Sequence, residues 1–217
     1  MRPYKFRSAG LLTGLLAAGI CSGCVAIHIE HRTDMPVAAA RIQAIGAPVT
    51  VDGVVTVASG TFDEGFALQD ASGGIYVLRT PAAKARSGDS VRVSGTIAVF
   101  HGQIAIEPAR IEILGAGIPP APLEVRTGMV GATTDGRLIA VRGEVSGDVI
   151  DDQPWGWKLY LDDGSGSVLV FISTPTGIDT TGIRAGQSLR AVGYSGRYDR
   201  HAEVLPRAPA DITATAN

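Results

Sequence analysis

Trp155, Arg197, Tyr198, Arg200 and His201 are the residues of this chain whose types suit ligand binding. Four of them fall within "GRYDRH", residues 196–201, and Trp155 stands between Pro154 and Gly156. An exposed indole or phenol offers a flat face for stacking, and a guanidinium offers a fork of donors for an anion. Together they suit a single-stranded nucleic acid or a sugar. Other constellations carry less. Asp162, Asp163, Ser165 and Ser167 are rich in oxygen but lack the spacing and terminal glutamate of a calcium loop, so they are read as a hairpin turn. His28, Glu30 and His31 lie close together without a third or fourth metal ligand in view. Ser195, Asp199 and His201 have the types of a hydrolytic triad, yet nothing in the sequence makes them converge. There is no G-x-S-x-G and no phosphate-binding P-loop. The expectation is therefore no enzyme, no catalytic residue, no metal and no cofactor.

The elements that must carry these residues come from a repeat. "VTVDGVV" (49–55) aligns with "IAVRGEV" (139–145), an offset of 90. "FALQDASGGIYVL" (66–78) aligns with "LYLDDGSGSVLVF" (159–171) at 93, and "GDSVRVSG" (88–95) with "GQSLRAVG" (186–193) at 98. Each copy reads as a strand, a hairpin turned on Asp, Ser and Gly, a connection, and two more strands. Alternation puts Trp157, Leu159 and Leu161 on the inner face and Lys158, Tyr160 and Asp162 on the outer one. Pro108 and Pro206 imply an edge or a bulge in the last strand of each copy.

Five short strands in that order resemble the OB fold, in particular the modules of exported bacterial proteins. The resemblance implies an all-β chain of two tandem five-stranded Greek-key barrels, over 46–115 and 124–213. A proline-rich linker (116–123) joins them with a fairly fixed mutual orientation. In OB folds the ligand face is bordered by the loop after the first strand and the loop before the last. Trp155 falls in the first of these in copy two, and Arg197 to His201 in the second. Copy one offers only Phe100, His101 and Gln103 in the latter place.

The N-terminus is of another kind. "MRPYKFRS" is basic and Ala9–Ile20 is apolar but for Thr13, the pattern of an export signal too short to span a bilayer comfortably. The residues that follow, "ICSGC", resemble a bacterial lipobox, with Ser22 and Gly23 before the modified cysteine and Cys21 where an aliphatic is usual. That resemblance implies cleavage after residue 23, lipidation of Cys24, and a tether over 24–45. Val25 in place of aspartate favours the outer membrane. Cys21 and Cys24 are the only cysteines, so neither a redox pair nor a zinc site follows from them.

The formal net charge is −2, and loss of Arg2, Lys5 and Arg7 with the leader makes it more negative. That argues against general attraction to phosphate backbones. The resulting expectation is a lipid-anchored envelope protein whose barrels bind a protein or an envelope polymer without catalysis. The alternative is a single-stranded oligonucleotide held by the second barrel.

Overall fold

The computed structural model describes residues 34–63, 65–78 and 84–215. The stretch read as an export signal, Cys24, His28 and His31 lie outside the described residues. In chain order the elements are a single helical turn α1 (Val37–Ala40), then β1 (Pro48–Val57), β2 (Phe66–Gln69), β3 (Gly74–Val77), β4 (Asp89–Phe100) and β5 (Gln103–Ala116). There follow β6 (Leu123–Glu124), β7 (Leu138–Val145), β8 (Ile150–Asp152), β9 (Gly156–Asp162), β10 (Ser167–Ser173), β11 (Ser188–Tyr198), β12 (His201–Leu205) and β13 (Ile212–Ala214).

The first five strands close a barrel in the order β1-β2-β3-β5-β4. The second barrel repeats that order as β7-β9-β10-β12-β11, closed by pairing of β11 with β7. In each, the third strand runs parallel to the fifth: Tyr76 beside Ala105, Leu169 beside Glu203. The chain is all-β with two OB-like Greek-key barrels, as the repeat implies.

Alternation builds both interiors. Val49, Val51, Val55, Phe66, Leu68 and Ile75 fill the first, and Ile139, Val141, Leu159, Leu161, Val170 and Ile172 the second. Gly53 and its repeat equivalent Gly143 sit where the first strand crosses the second. A Cβ at Gly53 would stand 2.7 Å from Leu68 Cδ1, and one at Gly143 2.9 Å from the Asp162 backbone. Pro108 lies at the expected bulge, where pairing slips between Ser94 and Gly95. Another bulge, between Val55 and Val57, turns Val57 out of the first core toward the second barrel.

Within the stretch read from sequence as a tether, residues 35–40 pack into the first barrel, while 42–45 are exposed. Val37 and Ala40 are fully buried in its core, with Met35 packed beside them. The Val37 N–H donates to Asp70 Oδ2 and the Ala38 N–H to Ser72 Oγ. Copy two repeats both bonds, from the Thr127 N–H to Asp163 Oδ2 and from the Gly128 N–H to Ser165 Oγ. Met35 N–H to Thr50 O is likewise matched by Val125 N–H to Ala140 O. The repeat unit thus begins near Met35. Its first turn plugs an open barrel end, which would otherwise leave core side chains wet.

The two barrels touch directly. Val57, Ala67, Tyr76, Ala105 and Tyr194 form a separate buried apolar cluster between them. Around it Tyr194 Oη donates to Gln103 Oε1 (3.1 Å), Arg207 Nη1 to Thr56 O (2.8 Å), and the Leu138 N–H to Gln69 Oε1 (2.9 Å). This interface, more than the proline-rich linker, fixes how the barrels sit.

Candidate functional site

A groove of about 780 Å³ runs along the junction of the barrels. Its floor is the outer face of the second barrel. Because Leu159, Leu161, Val170, Ile172 and Val204 point inward, their neighbours Lys158, Tyr160, Leu169, Phe171 and Glu203 point outward into the groove. Pairing sets Tyr160, Leu169, Glu203 and Gly196 side by side across four strands.

The wall is aromatic and is built from both barrels. Tyr76 stacks on Phe100 with ring centroids 5.7 Å apart and planes at 4°, and leans against Tyr194 at 5.7 Å. Phe100 touches the His101 ring at 4.1 Å, and His101 stacks on Tyr198 at 4.9 Å. Tyr198 and Trp155 are 57% and 70% exposed, so each presents a free ring face at the rim. Trp155 is held in place by its turn, with its N–H donating to Asp152 O and its carbonyl accepting from the Thr174 N–H.

The cations near the groove are largely committed. Lys158 Nζ lies 2.8 Å from Asp152 Oδ2, a bond that raises its pKa. Arg197 Nη2 lies 3.1 Å from Asp135 Oδ2, while Asp135 Oδ1 is buried without a partner among the described residues. Asp63 accepts from the Tyr76 hydroxyl and the Gly65 N–H. Tyr76 is pushed far above the ordinary phenol range, by burial first and then by that bond. Glu203 differs from all of these. It is 8% exposed, and among the described residues its carboxyl accepts no hydrogen bond. Burial pushes it up to about 7, with Lys158 pulling weakly the other way.

Of the residues singled out from sequence, Trp155, Arg197, Tyr198 and His201 all line the groove. Arg200 is exposed on the adjoining turn and does not line it. Arg197 lines the groove with its guanidinium already paired to the buried Asp135. Trp157 packs against the second core, as alternation requires. Asp163 and Ser165 hold the Thr127 turn and close the hairpin, as the turn reading expects. Sequence reasoning missed Tyr76, Phe62, Phe171 and Glu203. The first two belong to copy one, and only the packing of the barrels brings them to the ligand face of copy two. Outward alternation on β10 and β12 was the available signal for the other two.

A family described as a protein of unknown function (DUF5818) matches residues 57–114, within the first barrel. No curated protein matches the chain. Among solved structures, one of a murine DNA-binding protein bound with double-stranded DNA shares 12% identity at a TM-score of 0.41, covering 77% of this chain and 97% of that one. A fission yeast Pot1 structure with single-stranded DNA shares 8% identity at 0.41, covering 86% and 89%. A replication protein A heterotrimer bound to single-stranded DNA shares 15% identity at 0.30, covering 78% and 49%.

Proposed function

We propose that this chain is a non-enzymatic binding module that holds a single-stranded oligonucleotide in the groove on its second barrel. The observation that carries the reading is the ring-lined groove itself. It lies on the face that OB barrels use, with Trp155 and Tyr198 exposed at its rim and the Tyr76–Phe100–His101 stack as its wall. Base stacking on such rings contributes roughly 1–3 kcal/mol per base and tolerates any sequence. Lys158 and Arg197 are already paired, which leaves Arg200 as the cation at the rim for phosphate. Binding is then dominated by bases rather than backbone. Its salt slope is shallow, about −0.7 for one phosphate neutralised on a single strand.

A neutral envelope polymer, such as a glycan, is the second reading. What favours it is the acid around the groove, where Asp63, Asp152 and Glu203 meet few unpaired cations. Titration of the purified chain with an oligothymidylate and with a neutral oligosaccharide, each at low and raised salt, separates the two. Oligothymidylate binding that weakens slightly with salt supports the first. Salt-independent binding of the sugar alone supports the second.

The proposal extends to place. The export signal and the lipobox-like "ICSGC" support anchoring through Cys24 in the envelope, with the outer membrane favoured. Cys24→Ser is expected to release the protein from membranes, and unchanged membrane association would count against the anchor.

A further inference from the structure

We propose that Glu203 reads the base lodged in the groove, its carboxylate accepting the two adjacent N–H donors on the Watson–Crick edge of a guanine. This rests on the oligonucleotide reading above and adds a preference to it. Glu203 sits mid-floor, flanked by Leu169 on one side and facing Gly196, which has no side chain, on the other. It is more than nine-tenths buried, and its carboxyl has no hydrogen-bond partner among the described residues. Its carboxyl opens on the groove, and a ligand whose donors take the place of water on a carboxylate this deep recovers part of its desolvation cost.

Base chemistry then decides which ligand fits. Guanine alone presents N1–H and N2–H side by side, matching the two oxygens of an ionised carboxylate. Thymine has one N–H set between two carbonyls, which a carboxylate repels. Cytosine and adenine present a donor beside a bare ring nitrogen, which suits the protonated carboxyl instead. Burial holds Glu203 near neutrality, so both forms are within reach. The other charged or titratable groups around the groove are Lys158 and Asp152 from β9 and β8, Arg197 from β11, His201 from β12, Asp63 and His101 from the first barrel, and the phenols of Tyr76, Tyr160, Tyr194 and Tyr198. Lys158 and Arg197 are paired with Asp152 and Asp135, and Lys158 acts on Glu203 only through its charge, without a bond to it.

The test is affinity of the full chain for the pentanucleotides TTGTT, TTCTT and TTTTT, with and without Glu203→Gln. At about pH 8.5, TTGTT is expected to bind about tenfold more tightly than TTTTT, the size of one bidentate base contact. TTCTT is expected to gain on TTGTT as the pH falls to about 5.5, when the carboxyl is protonated. In Glu203→Gln the guanine preference collapses, because an amide offers one acceptor and one donor. Equal affinity for TTGTT and TTTTT at the higher pH, or a preference that survives Glu203→Gln, would overturn the assignment while leaving oligonucleotide binding intact. Failure of all three to bind would overturn the oligonucleotide reading and this inference together.

Discussion

His101 of the first barrel lies against Tyr198 of the second, ring centroids 4.9 Å apart and planes inclined by 29°. His101 stands in the turn before its barrel's last strand and Tyr198 at the end of β11 just before the equivalent turn, and the repeat makes those hairpins equivalent. His101 and its counterpart Asp199 both adopt positive φ, 47° and 53°. The turns meet so closely that a Cβ on Gly102 would stand 2.5 Å from Asp199 O. Two loops that border ligand faces in separate barrels are thus joined into one aromatic wall. The groove then depends on the pair of barrels rather than on either alone.

Removing a ring at the rim tests that wall. Tyr198→Ala and Trp155→Ala are each expected to weaken oligonucleotide binding by about 5- to 150-fold, the range of one lost stacking contact. Both side chains are exposed, so stability is expected to change by less than about 0.5 kcal/mol. Affinity by fluorescence or calorimetry, set beside thermal melts, checks both halves.

The two arginines of "GRYDRH" are expected to behave differently. Arg197→Ala leaves Asp135 buried without its cation and is expected to destabilise the fold by about 2 kcal/mol or more. Arg200→Ala is expected to leave the melting temperature alone and to flatten the salt dependence of binding by about one phosphate contact. Denaturant unfolding and salt titration of the two variants distinguish these roles.

Glu203 sets a pH dependence of stability. Its carboxyl holds a proton more tightly folded than unfolded, from an ordinary 4.5 up to about 7. Folding is therefore penalised increasingly as pH rises through that window, and the full penalty, roughly 3 kcal/mol, applies above it. Glu203→Gln removes the penalty. The variant is expected to melt higher than the parent at about pH 8 and to match it below about pH 4.5. Thermal melts across pH check this.

The plug of each barrel hangs on a hairpin aspartate. Burial opposes ionisation of Asp70, but hydrogen bonds from Ser72, Val37 and Gly73 hold its pKa below the ordinary value all the same. Asp163 is held lower by Ser165, against some burial, and then by Thr127. Depressed carboxylates stabilise the fold above their unfolded value, and that contribution is lost as pH falls through the folded one. Asp70→Ala is expected to loosen α1 and to cost about 1.5–3 kcal/mol, as for a hydrogen-bonded charge. Hydrogen exchange at the Val37 and Ala38 amides, faster in the variant, checks that the plug is what gives way.

Much of the architecture could be read from the chain because it is written in period-2 alternation and in turn residues. Leu159 and Leu161 against Lys158 and Tyr160, and the Asp-Ser-Gly hairpins, specify strands locally. The plug at Val37–Ala40 was illegible, because "VAAA" carries no periodicity and its burial depends on an opening formed by distant strands. Its counterpart at Thr127 was inside the domain as read, so carrying the offset of 90 back to Met35 was the missed signal. That Trp155, Arg197, Tyr198 and His201 would lie near one another was legible from loop composition. The contribution of Tyr76, Phe100 and His101 to that same site was not, since the barrel interface has no signature in sequence. The pairing of Arg197 was not legible either, because Asp135, its partner, lies in another loop.

The most direct test of the groove as an oligonucleotide site is Trp155 fluorescence in a Trp157→Phe background, titrated with pentathymidylate at low salt. A saturable quench that Tyr198→Ala weakens is the predicted result. No change in emission on adding the oligonucleotide, in a chain shown to be folded, would contradict it.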